Sequence, residues 1–313
     1  MQTYKITIQP ISAFGTSLHG DTLFGQFCWV IVHLLGENNL TKLLNGYTNS
    51  HPFIVFSDAF PMGYLPLPTL PSHLFNKVNE DDRKLIKKVK WIKVEDCQLP
   101  VSELQKKAWE HRNDSILINQ YKEQEQNHNT IDRLVGSTTA GGQFSPYQSS
   151  QKWYYPECSL DIYIILDEER LSLLDTKTVL ENIGKFGFGR DASIGLGQFN
   201  ITSIKKFDYP MSHSPNCYMA LSNAAPQDSL WDKERCYYQI TTRFGRHGDQ
   251  YALDENPFKK PIILTKAGAI FTPKEMKNLL FIGQGLNKVS FISSEIVHQG
   301  YAPVIPLRLD FDR

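Results

Sequence analysis

Polar and apolar residues alternate from the start of the chain. Tyr4, Ile6 and Ile8 face one way, with Lys5, Thr7 and Gln9 between them, which predicts a strand ended by Pro10. A loop from Ser12 to Gly20 follows. Leu23, Phe24, Phe27, Cys28, Ile31, Leu34 and Leu35 then recur at helical spacing, with Asp21 or Thr22 as N-cap and Gly36 as stop. Phe53 to Phe56 reads as a second strand, after which Pro61, Pro66, Pro68 and Pro71 keep the chain extended. Glu80 to Trp91 and Val101 to Arg112 read as helices. A Gln- and Asn-rich patch, Asn119 to Asn129, leads to a long hairpin in which Thr130 to Val135 pairs with Lys152 to Tyr155 across a Gly/Ser/Thr-rich connection.

The second half repeats the scheme. Ser159 to Leu166 is a strand, Thr176 to Phe186 a helix, Gly187 to Gly197 a glycine-rich run, and Gln198 to Lys206 a strand. Further strands fall near Tyr237 to Arg243, Pro261 to Leu264, Ala269 to Thr272 and Ala302 to Leu309. Each half opens β-loop-α and continues with strands, so the fold class is α+β. Two ferredoxin-like (RRM-like) domains are predicted, divided near residue 156. The first, 1–156, carries an inserted hairpin at about 127–155; the second, 157–313, carries the glycine-rich loop 187–197.

Composition narrows the function classes. The 313 residues include 33 Lys+Arg against 33 Asp+Glu, so the formal net charge is zero. A neutral chain has a weak long-range field, which argues against indiscriminate nucleic-acid binding. No segment approaches the ~18 apolar residues of a membrane span, and no signal peptide is visible, so a cytoplasmic protein without membrane contact is expected. Cys28, Cys97, Cys158, Cys217 and Cys236 are scattered and never form CxxC, which disfavours a zinc site or a disulfide framework. No metal and no cofactor are expected.

Three segments carry candidate chemistry. Gly187-Phe188-Gly189-Arg190-Asp191-Ala192 matches G-x-G-x-x-A, but a dinucleotide site needs strand, loop, helix, and the order here is helix, loop, strand. What remains is a loop whose glycines allow close backbone approach, with Arg190 as a phosphate or base-edge donor and Phe186 and Phe188 as stacking surfaces. The other reading is a tight turn in which the glycines ease packing. His19-Gly20-Asp21-Thr22 sits where a helix N-terminus offers free N–H groups, although Asp21 or Thr22 could simply cap it. Asn127 to Arg133 is a polar stretch that could reach over a ligand or end a solvated hairpin. His19 with Tyr47 or a lysine is one acid–base option and an assumed Asp21–Asp58 carboxylate pair another, and no H-E-x-x-H or G-x-S-x-G motif occurs.

These segments converge on one family. Ile11-Ser12-Ala13-Phe14-Gly15 with Gly20-Asp21-Thr22-Leu23-Phe24-Gly25-Gln26-Phe27-Cys28-Trp29 is one block. Ser57-Asp58-Ala59-Phe60-Pro61, His128-Asn129-Thr130-Ile131-Asp132-Arg133 with Gly136, the run Phe186 to Gly197, and His298-Gln299-Gly300-Tyr301 are the others. Together they resemble the fourth subunit of the Csm complex, a RAMP-superfamily (repeat-associated mysterious protein) component of type III-A CRISPR interference. The resemblance spans nearly the whole chain. It implies tandem ferredoxin-like domains, with the glycine-rich loop near the cleft between them and a hairpin thumb that wedges into the guide–target duplex. It also implies binding of the CRISPR RNA 5′ handle, contact with target RNA near the handle end, and docking to the large polymerase-like signature subunit and to the RNA-backbone subunit. No catalytic residue is implied. Carried over by motif, the RNA-contact candidates are His19, Gly20, Asp21, Thr22, His128, Asn129, Thr130, Ile131, Arg133, Gly187, Phe188, Gly189, Arg190, Asp191, Ala192, Ser193, Gly195 and Gly197. Relatives often carry Lys where this chain has His19, and a neutral His binds phosphate less well. The alternative function is a metal-independent endoribonuclease that processes CRISPR repeat RNA.

Overall fold

A computed structural model describes residues 1–310 except 77–82, 130, 132, 134–137, 139–144, 211 and 254. The chain begins with β1 (Gln2–Pro10), α1 (Gly20–Leu35), α2 (Glu37–Leu44) and β2 (Ile54–Pro61). An insertion follows: β3 (Tyr64–Pro66), α3 (Arg83–Ile86), β4 (Trp91–Lys93), α4 (Val101–Glu110), α5 (Ser115–Ile118), and a hairpin of β5 (Tyr121–His128) and β6 (Tyr147–Tyr154). The chain then returns with β7 (Leu160–Leu166), α6 (Leu173–Phe186) and β8 (Phe199–Lys206). The last third holds β9 (Cys217–Ala220), β10 (Ile240–Arg243), β11 (Ile262–Thr265), β12 (Ile270–Phe271), β13 (Phe281–Leu286) and β14 (His298–Leu307).

The first sheet is antiparallel, in the order β2-β7-β1-β8. With its helices it is a β-α-β-β-α-β unit, the ferredoxin-like arrangement, assembled from the two ends of residues 1–206. β7 is buried at every residue, as its near-continuous apolar run requires of a strand covered on both faces. Ile6, Ile8, Ile162 and Ile164 meet Leu23, Phe24, Phe27 and Ile31 of α1 and Val179, Leu180 and Ile183 of α6 in one core. Burying each such side chain contributes roughly 1.5–3 kcal/mol. Ser172 caps α6 by accepting the Asp175 N–H at 3.0 Å.

The boundary expected near 156 therefore moves. β7 and β8 pair with β1, so the first unit runs to Lys206, the stretch 62–159 is inserted within it, and the glycine-rich loop belongs to it. Reading the chain in order split the sheet, because local periodicity does not report which strand a strand pairs with.

The second sheet has the order β12-β9-β14-β13, also antiparallel. Among the described residues after Phe186 the connections contain only short 3-10 turns. Its helix comes from elsewhere: Val101, Leu104 and Ala108 of α4 pack on Met219, Leu221, Ile270, Ile305 and Leu307. Ala220, Trp231, Phe271, Ile282 and Val304 build a core on the other face. None of the described helices is long and apolar enough to cross a membrane.

Two local expectations also change. Of the helix expected over Glu80–Trp91, the described part is helical only at Arg83–Ile86, and Trp91–Lys93 is a strand paired with Tyr64–Pro66. The hairpin begins earlier than expected: Tyr121–His128 pairs with Tyr147–Tyr154, so Lys152 faces Glu123. Its first strand, YKEQEQNH, is exposed along most of its length and has no apolar alternation to announce it.

Candidate nucleic-acid interface

Three of the sequence segments meet at one end of the first sheet. The loop after β1 is stitched to the glycine-rich loop: Gln198 N donates to Ser12 Oγ (2.9 Å), Gly197 N to the Ala13 carbonyl (2.7 Å) and Arg190 N to Thr16 Oγ1 (3.1 Å). The Gln26 amide, projecting from α1, donates to the Gly187 carbonyl at 2.6 Å and accepts the Gly189 N–H at 3.2 Å. The hairpin joins them. Phe14 and Lys152 exchange backbone hydrogen bonds at 2.9 Å, and Lys152 Nζ donates to Ser17 Oγ at 2.9 Å. Arg190 Nη2 donates to the Ser150 carbonyl at 2.6 Å, while its Nε pairs with Asp191 at 3.1 Å.

The glycine-rich loop is partly packing and partly surface. Phe188 is fully buried in the first core and cannot stack a base; Phe186 is 73% exposed and can. Gly187 and Gly197 are buried, and a Cβ on Gly197 would overlap the Phe188 carbonyl. The surface is formed by Arg190, Ser193, Ile194 and Gly195, with Gly189, Asp191 and Ala192 partly covered. All described hydrogen bonds of the loop go to first-unit residues. It lies against the β1–α1 loop and the hairpin.

The block His19 to Thr22 divides in the same way. His19 is half-buried, and its Nδ1 lies 2.9 Å from Asp58 Oδ2. The Asp58 carboxylate raises the imidazole pKa above its ordinary value, which favours the charged form that a phosphate contact needs. Gly20 N is buried and donates to Asp58 Oδ1 at 2.9 Å, so that N–H is taken. Asp21 is fully buried. It accepts Arg243 Nε at 2.7 Å and Nη2 at 2.8 Å, and Arg243 Nη2 also donates to Thr22 Oγ1 at 2.5 Å. Asn223 Nδ2 (3.3 Å) and His298 Nε2 (3.5 Å) complete its surroundings. Burial pushes the Asp21 carboxyl up, but His298 and the Arg243 fork outweigh it and hold the carboxyl well below the usual range. Asp21 and Thr22 thus tie α1 to Arg243 in the last third of the chain, while Gly20 ties it to Asp58 of β2.

The remaining candidates lie on the hairpin. The His128 ring stacks on Tyr147, centroids 4.9 Å apart at 10°, and its Nε2 lies 2.8 Å from Ser149 Oγ. Tyr147, Asn129, Ile131 and Arg133 are exposed. Thr130, Asp132 and Gly136 lie outside the described residues. Glu125 is opposite Ser150 and His128 opposite Tyr147, so the stacked pair stands about 10 Å beyond the Arg190 contact along the strand.

Some residues of the quoted motifs are structural keys that sequence reasoning did not assign. The Gln299 amide, fully buried, accepts the Phe56 N–H at 3.0 Å and donates to the Phe56 carbonyl at 2.8 Å. Tyr301 Oη donates to the Tyr47 carbonyl at 2.5 Å. Asp161, between Thr7 and the Gly63 N–H, and Arg243 carried no local signal at all.

No family model and no curated protein matches the chain. Solved structures do. A chain of the Csm1-Csm4 cassette in complex with pppApA superposes with TM-score 0.61 at 14% identity, covering 99% of this chain and 100% of that one. The same cassette with cA4 gives 0.59 at 16% identity, over 98% and 99%. The Csm3-Csm4 subcomplex in the type III-A CRISPR-Cas interference complex gives 0.59 at 13% identity, over 98% and 100%. Csm4 is the subunit these assemblies share. At such identities the likeness is one of fold: the chain has the α+β fold of Csm4.

Proposed function

We propose that this protein is a non-catalytic subunit of a type III-A CRISPR effector that holds the 5′ handle of the CRISPR RNA. The observation that carries this reading is the convergence of the β1–α1 loop, the glycine-rich loop and the hairpin base around Arg190. Arg190 keeps Nη1 for an incoming phosphate, Phe186 offers a ring to an unstacked base, and His19 supplies an imidazolium. Single-stranded RNA is recognised by such local donors and stacking surfaces, without bulk positive charge. The hairpin, with its His128–Tyr147 stack, is suited to reach toward target RNA near the handle end. The similar folds were solved with Csm1 and with Csm3, which supports docking to the large signature subunit and to the RNA-backbone subunit.

The test is fluorescence anisotropy with labelled handle RNA at moderate salt. Arg190→Ala with His19→Ala is expected to weaken binding at least tenfold, since each such contact contributes roughly 1–3 kcal/mol. Unchanged affinity with the fold intact would overturn the reading. A second reading has one specific observation behind it: Asp58 orients His19 Nδ1 as a carboxylate orients a general base. Cleavage of repeat RNA in EDTA that is lost in His19→Ala would favour an endoribonuclease.

A further inference from the structure

The β10–β11 ribbon has two unlike faces. Its inner face is fixed, since Arg243 grips Asp21 and Leu264 is buried, and its edge is held where Thr265 exchanges backbone hydrogen bonds with Ala224 at 2.9–3.0 Å. Its outer face follows from the register. Ile240, Thr242 and Phe244 point the same way along one strand, and Ile263 stands opposite Thr242, diagonal to both apolar neighbours. Phe258 lies just beyond, opposite Arg246. Ile240 is 64% exposed, Phe244 77%, Ile263 69% and Phe258 58%.

These four side chains present on the order of 500 Å² of apolar surface, near the upper end of the largest patch on a typical monomer and most of one side of a standard interface. Among the described residues, Arg246 stands opposite Phe258, and Lys260 and Lys266 flank β11 on either side. Lys260 lies 5.1 Å from the Phe291 ring, itself exposed. The face therefore has an apolar centre and a basic rim. Within β10 and β11, Thr242 is the one exposed hydrogen-bonding side chain on this face, Thr265 being buried, so an RNA phosphate laid across it would lose water and gain little.

We propose that this face docks a partner protein subunit whose matching surface is apolar at its centre and acidic at its rim. The proposal rests on the reading above for the existence of an assembly, and adds the surface by which the chain enters it. Because the ribbon is held from beneath, the patch is preorganised and pays little ordering entropy on association.

The experiment uses the full chain with Phe244→Asp and Ile263→Asp, and separately with Ile240→Ser. Each is co-expressed with the large signature subunit or with the RNA-backbone subunit and the guide RNA. Melting temperature confirms the fold, handle affinity is measured on the free chain, and complex formation is read by size exclusion with light scattering. The double variant is expected to bind one of the two partner subunits at least about tenfold more weakly, the size of loss typical of interface hot spots, with handle affinity within about twofold of wild type. Full assembly by the folded double variant overturns the proposal. So does a wild-type homodimer that the substitutions dissolve, which makes a second copy the occupant, and so does a matching loss of handle affinity, which makes the face an RNA surface. A wild-type chain that binds neither handle RNA nor either partner refutes the functional reading, and this proposal with it.

Discussion

Arg243→Ala removes the guanidinium that neutralises Asp21, a carboxylate with no solvent exposure. Three contacts are lost at once, at 2.7, 2.8 and 2.5 Å, the last to Thr22. Asp21 is left with the Thr22 N–H at 2.8 Å, Asn223 at 3.3 Å and His298 at 3.5 Å. Removing one partner of a buried pair costs about 3–5 kcal/mol, and these remaining partners place the cost near the lower end. For a chain of 313 residues, with about 2.1 cal/mol/K of unfolding entropy per residue, that is a fall in Tm of roughly 5 °C. Urea unfolding at pH 7 measures it. Asp21→Asn with Arg243→Met removes both charges and keeps an acceptor for Thr22, so the double variant should recover most of the loss. Acid adds a second readout. The folded carboxyl sits below its unfolded value of 3.8, so its stabilisation is present above about pH 4 and is lost as pH falls further. Without Arg243 burial is less opposed, the folded carboxyl rises, and the acid transition moves to higher pH. A cost below about 1 kcal/mol, or a double variant no better than the single one, would refute the view of this pair as the lock between α1 and the β10–β11 ribbon.

Three further outcomes are expected. His19 should titrate above its ordinary 6.5 by NMR and return toward it in Asp58→Asn; since the folded value is raised, its pairing with Asp58 stabilises fully below about pH 6.5 and fades as pH climbs through the folded value, and handle affinity should fall over the same range. An unshifted His19 would remove that explanation. Gly197→Ala, at φ +76 against the Phe188 carbonyl, should destabilise by more than about 2 kcal/mol, whereas Gly195→Ala, at φ +96 but facing open space, should cost only the ~1–2 kcal/mol of the left-handed conformation; thermal melts compare the two. Gln299→Leu strands the backbone of Phe56 in the interior and should cost about 2–4 kcal/mol in denaturant unfolding, with handle affinity on the folded protein unchanged.

The legible parts of the sequence were those whose signal is local. The alternation at Tyr4–Ile8, the helical spacing from Leu23 to Leu35 and the helix before Gly187 all correspond to elements within a few residues of their predicted ends. The polar strand Tyr121–His128 was not legible as one, because both its faces meet water and nothing alternates. Phe186 and Phe188 looked equivalent in the sequence, yet one is exposed and the other fully buried. Asp21 stood beside His19 as a ligand contact, and its partner lies 222 residues away.

The sequence by itself determined the kind of element at most positions, the α+β class, and the three segments that carry candidate chemistry. Periodicity and turn chemistry encode which face of a segment is apolar and where it stops. Only the tertiary structure decided which strands share a sheet, and so placed β7 and β8 beside β1. It also decided which motif residues reach the surface, leaving Arg190, Phe186 and His19 available while Asp21, Gly20 and Phe188 hold the frame. The reason is physical: strand pairing, ion-pair partners and burial are set by contacts between residues far apart in the chain, and no local pattern records them.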